Sequence, residues 1–173
     1  ADIGLFAPLA IGAILIVMVY SGGPISGAHY NPAVTLGIYL SKKCPLKEVP
    51  FYLLAQLLGA VFAAYSVILM KGTTGSVATI DVMPAFIAEL LFTFALVFVI
   101  LNVAFSKTSE GNSYFGLAIG LTVLAGAYAV GSISGGVFNP AVAVGLIMMG
   151  LSNISTIGLY LGSQLLASIL AWK

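Results

Sequence analysis

The chain of 173 residues is 61% apolar and only 6% charged, with six basic groups, all lysine, against five acidic ones. An average soluble domain is roughly a quarter charged, and a surface facing water cannot be covered with so few charges. A net charge of +1 without a large basic cluster argues against nucleic acid and acidic partners and leaves a multi-pass integral membrane protein as the class.

About 20 apolar residues cross a bilayer, and stretches of that order are predicted at 5–22, 49–70, 83–105, 114–132 and 154–172. The first lacks a basic leader and reads as a span, not a signal peptide. Its start at Ala1 without Met suggests a chain cut or processed upstream. After it, residues 31–40 form an apolar piece too short to cross, opened by Asn31-Pro32, and residues 139–149 repeat the arrangement behind Asn139-Pro140. Both are predicted to be re-entrant half-helices. The connector between 41 and 48 carries Lys42, Lys43, Lys47 and the lone Cys44, a loop thiol that can make no internal disulfide. Placing Lys42, Lys43, Lys47, Lys107 and Lys173 on one face leaves Lys71 alone on the other, so the five-lysine face is expected to be cytoplasmic. Gly116 with Gly120, and Gly158 with Gly162, stand at helical spacing that lets backbones approach closely.

The chain also matches itself at an offset of 108 positions. Asn31 falls on Asn139, Pro32 on Pro140, Gly12 on Gly120, Tyr52 on Tyr160 and the string QLL at 56–58 on QLL at 164–166. Three crossings separate the half-helices, so the two halves sit in opposite orientations, as in inverted-repeat transporters with a path at the repeat interface. We therefore expect one transmembrane domain over 1–173, with repeat one at 1–70 and repeat two at 83–173. Repeat one lacks a counterpart to the span 83–105, which would lie before residue 1.

Asn is among the best helix N-caps and Pro is favoured at the first helical position, so each Asn-Pro-Ala starts a helix. Two half-helices meeting head to head bring two amide donors, from Asn31 and Asn139, and two positive dipole ends of roughly half a charge each to one point. That point repels cations and orients a passing water by its oxygen, which interrupts a proton wire. The stretches Ser26 to Tyr30 and Ser134 to Phe138 are expected to be extended, with backbone carbonyls of Gly27, Ala28, His29 and Gly135 facing a wet path. His29, the single histidine, is expected to make a structural hydrogen bond in its loop, with a pH gate as the sharper alternative. Gln56 and Gln164 are expected to brace the half-helices. Glu89 is the single charged group within the spans, which marks it as functional or supporting. No paired acid, nucleophile or metal cluster accompanies it, so neither an enzyme, a metal site nor a cofactor is expected.

At these residues the chain resembles the aquaporin, or major intrinsic protein, family. SGAHYNPAVTLG at 26–37 is similar to the first family signature, FNPAVAVG at 138–145 to the second, and AELLFTFALVF at 88–98 to the fourth-span pattern. The resemblance implies an all-α membrane fold, an inverted repeat with two half-helices carrying Asn31, Pro32, Ala33 and Asn139, Pro140, Ala141, a pore in each monomer, and a homotetramer. It also implies that Glu89 accepts backbone N–H groups of the second loop. Ungapped alignment places Ile11, Ala127, Gly136 and Val142 at the selectivity filter. Val142 stands where most members carry Arg, as in some plant vacuolar members, and Ala143 stands where glycerol channels typically carry Asp. Tyr30, Phe138 or Tyr128 swinging inward is the alternative source of narrowing.

The expected function is passive passage of water with leakage of small neutral solutes through a bilayer. A facilitator for glycerol, urea or ammonia is the alternative within the class, and a junction or scaffold protein with a vestigial pore is the alternative outside it. A plasma or inner membrane is expected, with a vacuole-like membrane as the alternative.

Overall fold

The structure, a computed structural model, describes residues 3–72, 77 and 79–173; the start at Ala1 lies outside them. Every regular element among the described residues is helical. After a 3-10 turn at Ile3–Phe6 come α1 (Ala7–Ser26), α2 (Pro32–Leu40), α3 (Val49–Lys71), α4 (Val82–Phe105), α5 (Phe115–Ser134), α6 (Pro140–Met148) and α7 (Ile157–Ala171), with short 3-10 turns at Lys107–Ser109 and Ile154–Thr156. Five segments, Gly4–Ser26, Val49–Lys71, Val82–Phe105, Phe115–Ser134 and Ile154–Ala171, are long and apolar enough to cross a membrane. The nine-residue α2 and α6 are not.

The first span runs four residues past its predicted end at 22. Pro24 lies inside the helix, and Gly27 terminates it in a left-handed conformation (φ 71°) with its N–H on the Gly23 carbonyl at 3.0 Å. Proline costs a helix one hydrogen bond and a clash, but this close to the C-terminus the turn closes around it.

The 108-residue offset holds in three dimensions. Ala7 corresponds to Phe115, Ser26 to Ser134, Pro32 to Pro140, Leu40 to Met148 and Val49 to Ile157, so α1, α2 and α3 begin where α5, α6 and α7 begin. The halves meet where α1 packs along α5. Gly12 and Gly120, equivalent by the repeat, face each other there: a Cβ on Gly120 would lie 2.7 Å from the Gly12 carbonyl oxygen, and one on Gly12 would lie 2.5 Å from Leu124 Cβ. Only a hydrogen side chain permits that approach. Gly116 serves the same packing against the Tyr20 ring, whereas Gly158 meets nothing within 4 Å and Gly162 makes only ordinary contact with Phe86. The predicted small-residue seam is thus used on α5 and not on α7.

The halves differ in what covers them. In the second, α4 packs against both α5 and α7, and it also reaches α2. Val97 and Leu96 of α4 form the main core with Val34 and Ile38 of α2, Val19 of α1 and Ile119 of α5. In the first half, no described element takes the corresponding place against α1 and α3. As a result, α3 packs mainly on the two half-helices, and α1 and α3 bury little of their length.

Candidate functional site

The site is built where the two half-helices start. Asn31, at φ −155°, caps α2: its Oδ1 accepts from Ala33 N at 2.9 Å and Val34 N at 3.5 Å. Asn139, at φ −156°, caps α6 through Ala141 N at 2.9 Å. With Oδ1 committed, each amide nitrogen reaches across to the other half. Asn31 Nδ2 donates to the Phe138 carbonyl at 2.8 Å and Asn139 Nδ2 donates to the Tyr30 carbonyl at 2.9 Å. An amide nitrogen has two protons, so one ties the loops together and one remains per Asn. Asn31 and Asn139 are therefore both cross-braces and donors.

The loops before the caps are not extended, contrary to the sequence reading. Gly27 and Gly135 end α1 and α5 in the left-handed region, Ala28 (φ 51°) and Gly136 (φ 63°) follow, and Tyr30 (φ 49°) and Phe138 (φ 48°) repeat it just before each Asn. A left-handed backbone costs a non-glycine residue about 1 kcal/mol or more. Here that conformation delivers the Tyr30 and Phe138 carbonyls to the opposite Asn, and the reciprocal bonds hold it. Both loops carry the same latch: Tyr52 donates its hydroxyl to the Ser26 carbonyl at 2.7 Å, and Tyr160 donates to that of Ser134 at 2.7 Å.

Support from the side differs. Glu89, fully buried in α4, accepts four bonds. Ser134 Oγ (2.7 Å) and Val137 N (2.9 Å) donate to Oε1, while Phe138 N (2.7 Å) and Gln164 Nε2 (2.8 Å) donate to Oε2. Four donors and no acceptor suit an acceptor-only carboxylate. In the first loop, Thr35 takes the central place. Its Oγ1 receives Gln56 Nε2 at 2.9 Å, donates to the Asn31 carbonyl at 3.0 Å and lies 3.2 Å from His29 Nδ1. His29 stacks on Tyr52 with ring centroids 4.2 Å apart. A further tie, Ser168 Oγ to the Ala33 carbonyl at 2.7 Å, joins α7 to the first turn of α2.

Around these atoms runs a cavity of about 1150 Å³ that reaches from Lys43 and Lys107 at one face, past both Asn, to Ile11 and Leu146 toward the other. Gly27, Ala28, His29 and Gly135 line it. Of the four expected filter positions, Ile11, Gly136 and Val142 line it, and Ala127 stands behind Gly136, where a Cβ on that glycine would be 3.3 Å from Ala127 Cα. A side cavity of about 580 Å³ opens against α3 and shares His29, Tyr30, Asn139 and Val142 with the first. Of the aromatic residues, Tyr30 and Phe138 also line the larger cavity, with the Phe138 ring buried against Phe92 at 5.5 Å and the Tyr30 hydroxyl donating to the Met18 carbonyl at 3.2 Å, whereas Tyr128 is exposed and lines neither cavity. Among the described residues no group of His, Cys and acidic side chains could hold a metal.

Sequence reasoning missed Thr35, Ser134 and Ser168. Ser134 was detectable, because Ser26 and Ser134, Tyr52 and Tyr160, and Gln56 and Gln164 are all repeat pairs of polar residues in otherwise apolar helices. Thr35 was detectable as a hydroxyl four residues beyond the Asn whose carbonyl it bonds.

The half-helices, the reciprocal Asn bonds and the cavity that passes both Asn define a membrane fold of inverted repeats. The profile described as Major intrinsic protein matches residues 5–127 and 76–173, and the chain belongs to that family. It is 39% identical over 145 residues to "Probable aquaporin NIP4-2" of Arabidopsis thaliana, covering 80% of this chain and 51% of that protein. To "Aquaporin NIP1-1" of Zea mays it is 41% identical over 139 residues, covering 78% and 49%, and to "Nodulin-26" of Glycine max 39% over 139 residues, covering 78% and 51%. The chain spans about half the length of these curated relatives. Its fold matches the aquaglyceroporin of Plasmodium falciparum with a TM-score of 0.80 and 25% identity, over 95% of this chain and 78% of that one. Two of the three plant relatives named here carry NIP names and none is named as a vacuolar protein, so the likeness to vacuolar members rests on Val142 alone.

Proposed function

We propose that the chain forms a passive conduit for water and small neutral solutes, with Asn31 and Asn139 as its central donors. The observation that carries this reading is the exchange of bonds between the two half-helix starts in the wall of a cavity running between the faces of the molecule. The remaining proton of each amide, with two converging positive dipole ends, binds a solute oxygen and disfavours cations at the same point. Ala33 and Ala141, both buried, keep the first turns slim enough for the Asn pair to meet.

Filter selectivity follows from what Ile11, Gly136 and Val142 lack. None offers a charge and none is larger than Ile, so the lining toward that face is apolar and free of long polar side chains. This favours uncharged solutes larger than water in addition to water, in keeping with relatives named as NIP aquaporins and an aquaglyceroporin. Closing the conduit laterally requires an apolar element over α1 and α3, the place that α4 holds in the second half. Assembly as a homotetramer, action as a channel and not an enzyme, and the assignment of the five-lysine face to the cytoplasm belong to the same reading.

Stopped-flow swelling of vesicles containing the protein tests it. Water, glycerol and urea are expected to enter faster than into empty vesicles without added proton leak. Val142→Arg is expected to reduce glycerol and urea entry more than water entry. Swelling indistinguishable from that of empty vesicles would favour a scaffold with a vestigial pore.

A further inference from the structure

The Thr35 hydroxyl has one proton and three neighbours. It donates to the Asn31 carbonyl at 3.0 Å, the bond to the i−4 carbonyl that Thr makes within a helix, and it receives Gln56 Nε2 at 2.9 Å. The third neighbour, His29 Nδ1 at 3.2 Å, then finds only a lone pair. With the Thr35 proton on the Asn31 carbonyl, the ring nitrogen that faces the hydroxyl carries the ring proton, since the partner of one ring nitrogen decides which nitrogen is protonated. Nε2 is left bare. A second ring proton is opposed by the surroundings, because the ring is buried against Tyr52 and has no carboxylate among its hydrogen-bond partners.

That bare nitrogen lies beside the path. A Cβ on Gly27 would be 3.4 Å from it, and Gly27 and His29 both line the conduit. No described protein group donates to Nε2. The other half offers no equivalent: the repeat counterpart of His29 is Val137 and that of Thr35 is Ala143.

We propose that His29 is a specificity-determining residue, whose Nδ1–H tautomer is held by Thr35 so that Nε2 offers passing solutes a side-chain acceptor. The inference rests on the conduit reading and deepens it. On the half of the path that leads to Lys43, cargo must bring an N–H or O–H donor, which makes neutral polyols, amides and amines the fitting class. Thr35 and Gln56 are positioning residues that act through the ring.

Because the chain has a single histidine, the ring can be read without ambiguity. Nitrogen-15 magnetic resonance of the full chain, labelled at histidine and held in bilayers at neutral pH, is expected to show a protonated Nδ1 and a bare Nε2. Thr35→Val removes the fixing acceptor. It is expected to shift the ring toward the Nε2–H tautomer and to lower glycerol and urea flux about fivefold, the worth of one hydrogen bond. Water flux falls less, since waters in file supply their own acceptors. Thr35→Ser is expected to restore tautomer and flux together. A wild-type ring protonated at Nε2, or an unchanged ratio of glycerol to water flux in a Thr35→Val protein whose tautomer has switched, overturns the proposal. Absence of all flux in the unaltered chain overturns the conduit reading instead, and the tautomer is read independently of it.

Discussion

The two re-entrant loops share one backbone and are held by different means. Residues 27–30 and 135–138 have matching left-handed positions, matching tyrosine latches and a mutual exchange of Asn bonds. Yet the second loop is gripped by a carboxylate that gathers four donors. The first relies on the neutral His29–Thr35–Gln56 set, and among the described residues nothing accepts from the His29 and Tyr30 amides, the counterparts of the two that Glu89 takes. The glutamines do not differ in this respect, since Gln56 Oε1 and its repeat counterpart Gln164 Oε1 are both buried without a partner. Among the described residues the loop geometry is thus duplicated by the repeat, while a carboxylate grip is seen on the second loop alone.

The largest effect is expected at Glu89. Glu89→Ala leaves four donors without their acceptor at a cost of about 4 kcal/mol or more, since each unsatisfied buried group costs about 1–3 kcal/mol. Thermal unfolding in detergent checks this, and Glu89→Gln should recover part of the loss. Next in size is the glutamine pair. Gln164→Leu removes a bond to a carboxylate and should cost about 2 kcal/mol, while Gln56→Leu removes a bond to a hydroxyl and should cost about 1 kcal/mol. Equal costs in the same unfolding assay would contradict the asymmetry between the loops.

The smallest effect concerns Cys44, in the connector after α2. Burial, and then the Glu48 carboxylate, push its thiol above the ordinary value. The thiolate is the reactive form, so alkylation should be slow at neutral pH and accelerate only at more alkaline pH than for a free cysteine. Glu48→Gln should move that rise toward lower pH. A rate profile identical to that of a free thiol would show that the connector does not shield the sulfur.

Much of this was legible in the sequence because hydropathy and repetition are both written in linear order. All five spans lie within a few residues of their predicted places, and Asn31-Pro32 and Asn139-Pro140 begin helices as capping chemistry requires. What escaped the sequence needed the third dimension. The left-handed turns at Ala28, Tyr30 and Phe138 fall on residues that carry no glycine signal, because tertiary bonds hold them there. The cross-brace between Asn31 and Phe138 joins residues 107 positions apart, and no local pattern announces it. Glu89 could be singled out as a lone buried charge, but its partners on α5, on α7 and in the second loop were fixed only by packing.

In our proposal the meeting point of the two Asn residues is the heart of a conduit. This is tested most directly by measuring osmotic water entry into vesicles that carry the unaltered chain, Asn31→Leu or Asn139→Leu at equal protein density and equal helix content. We predict entry well above that of empty vesicles for the unaltered chain, and entry reduced to the empty-vesicle rate for both variants. Variants that fold and still swell at the unaltered rate would contradict the account.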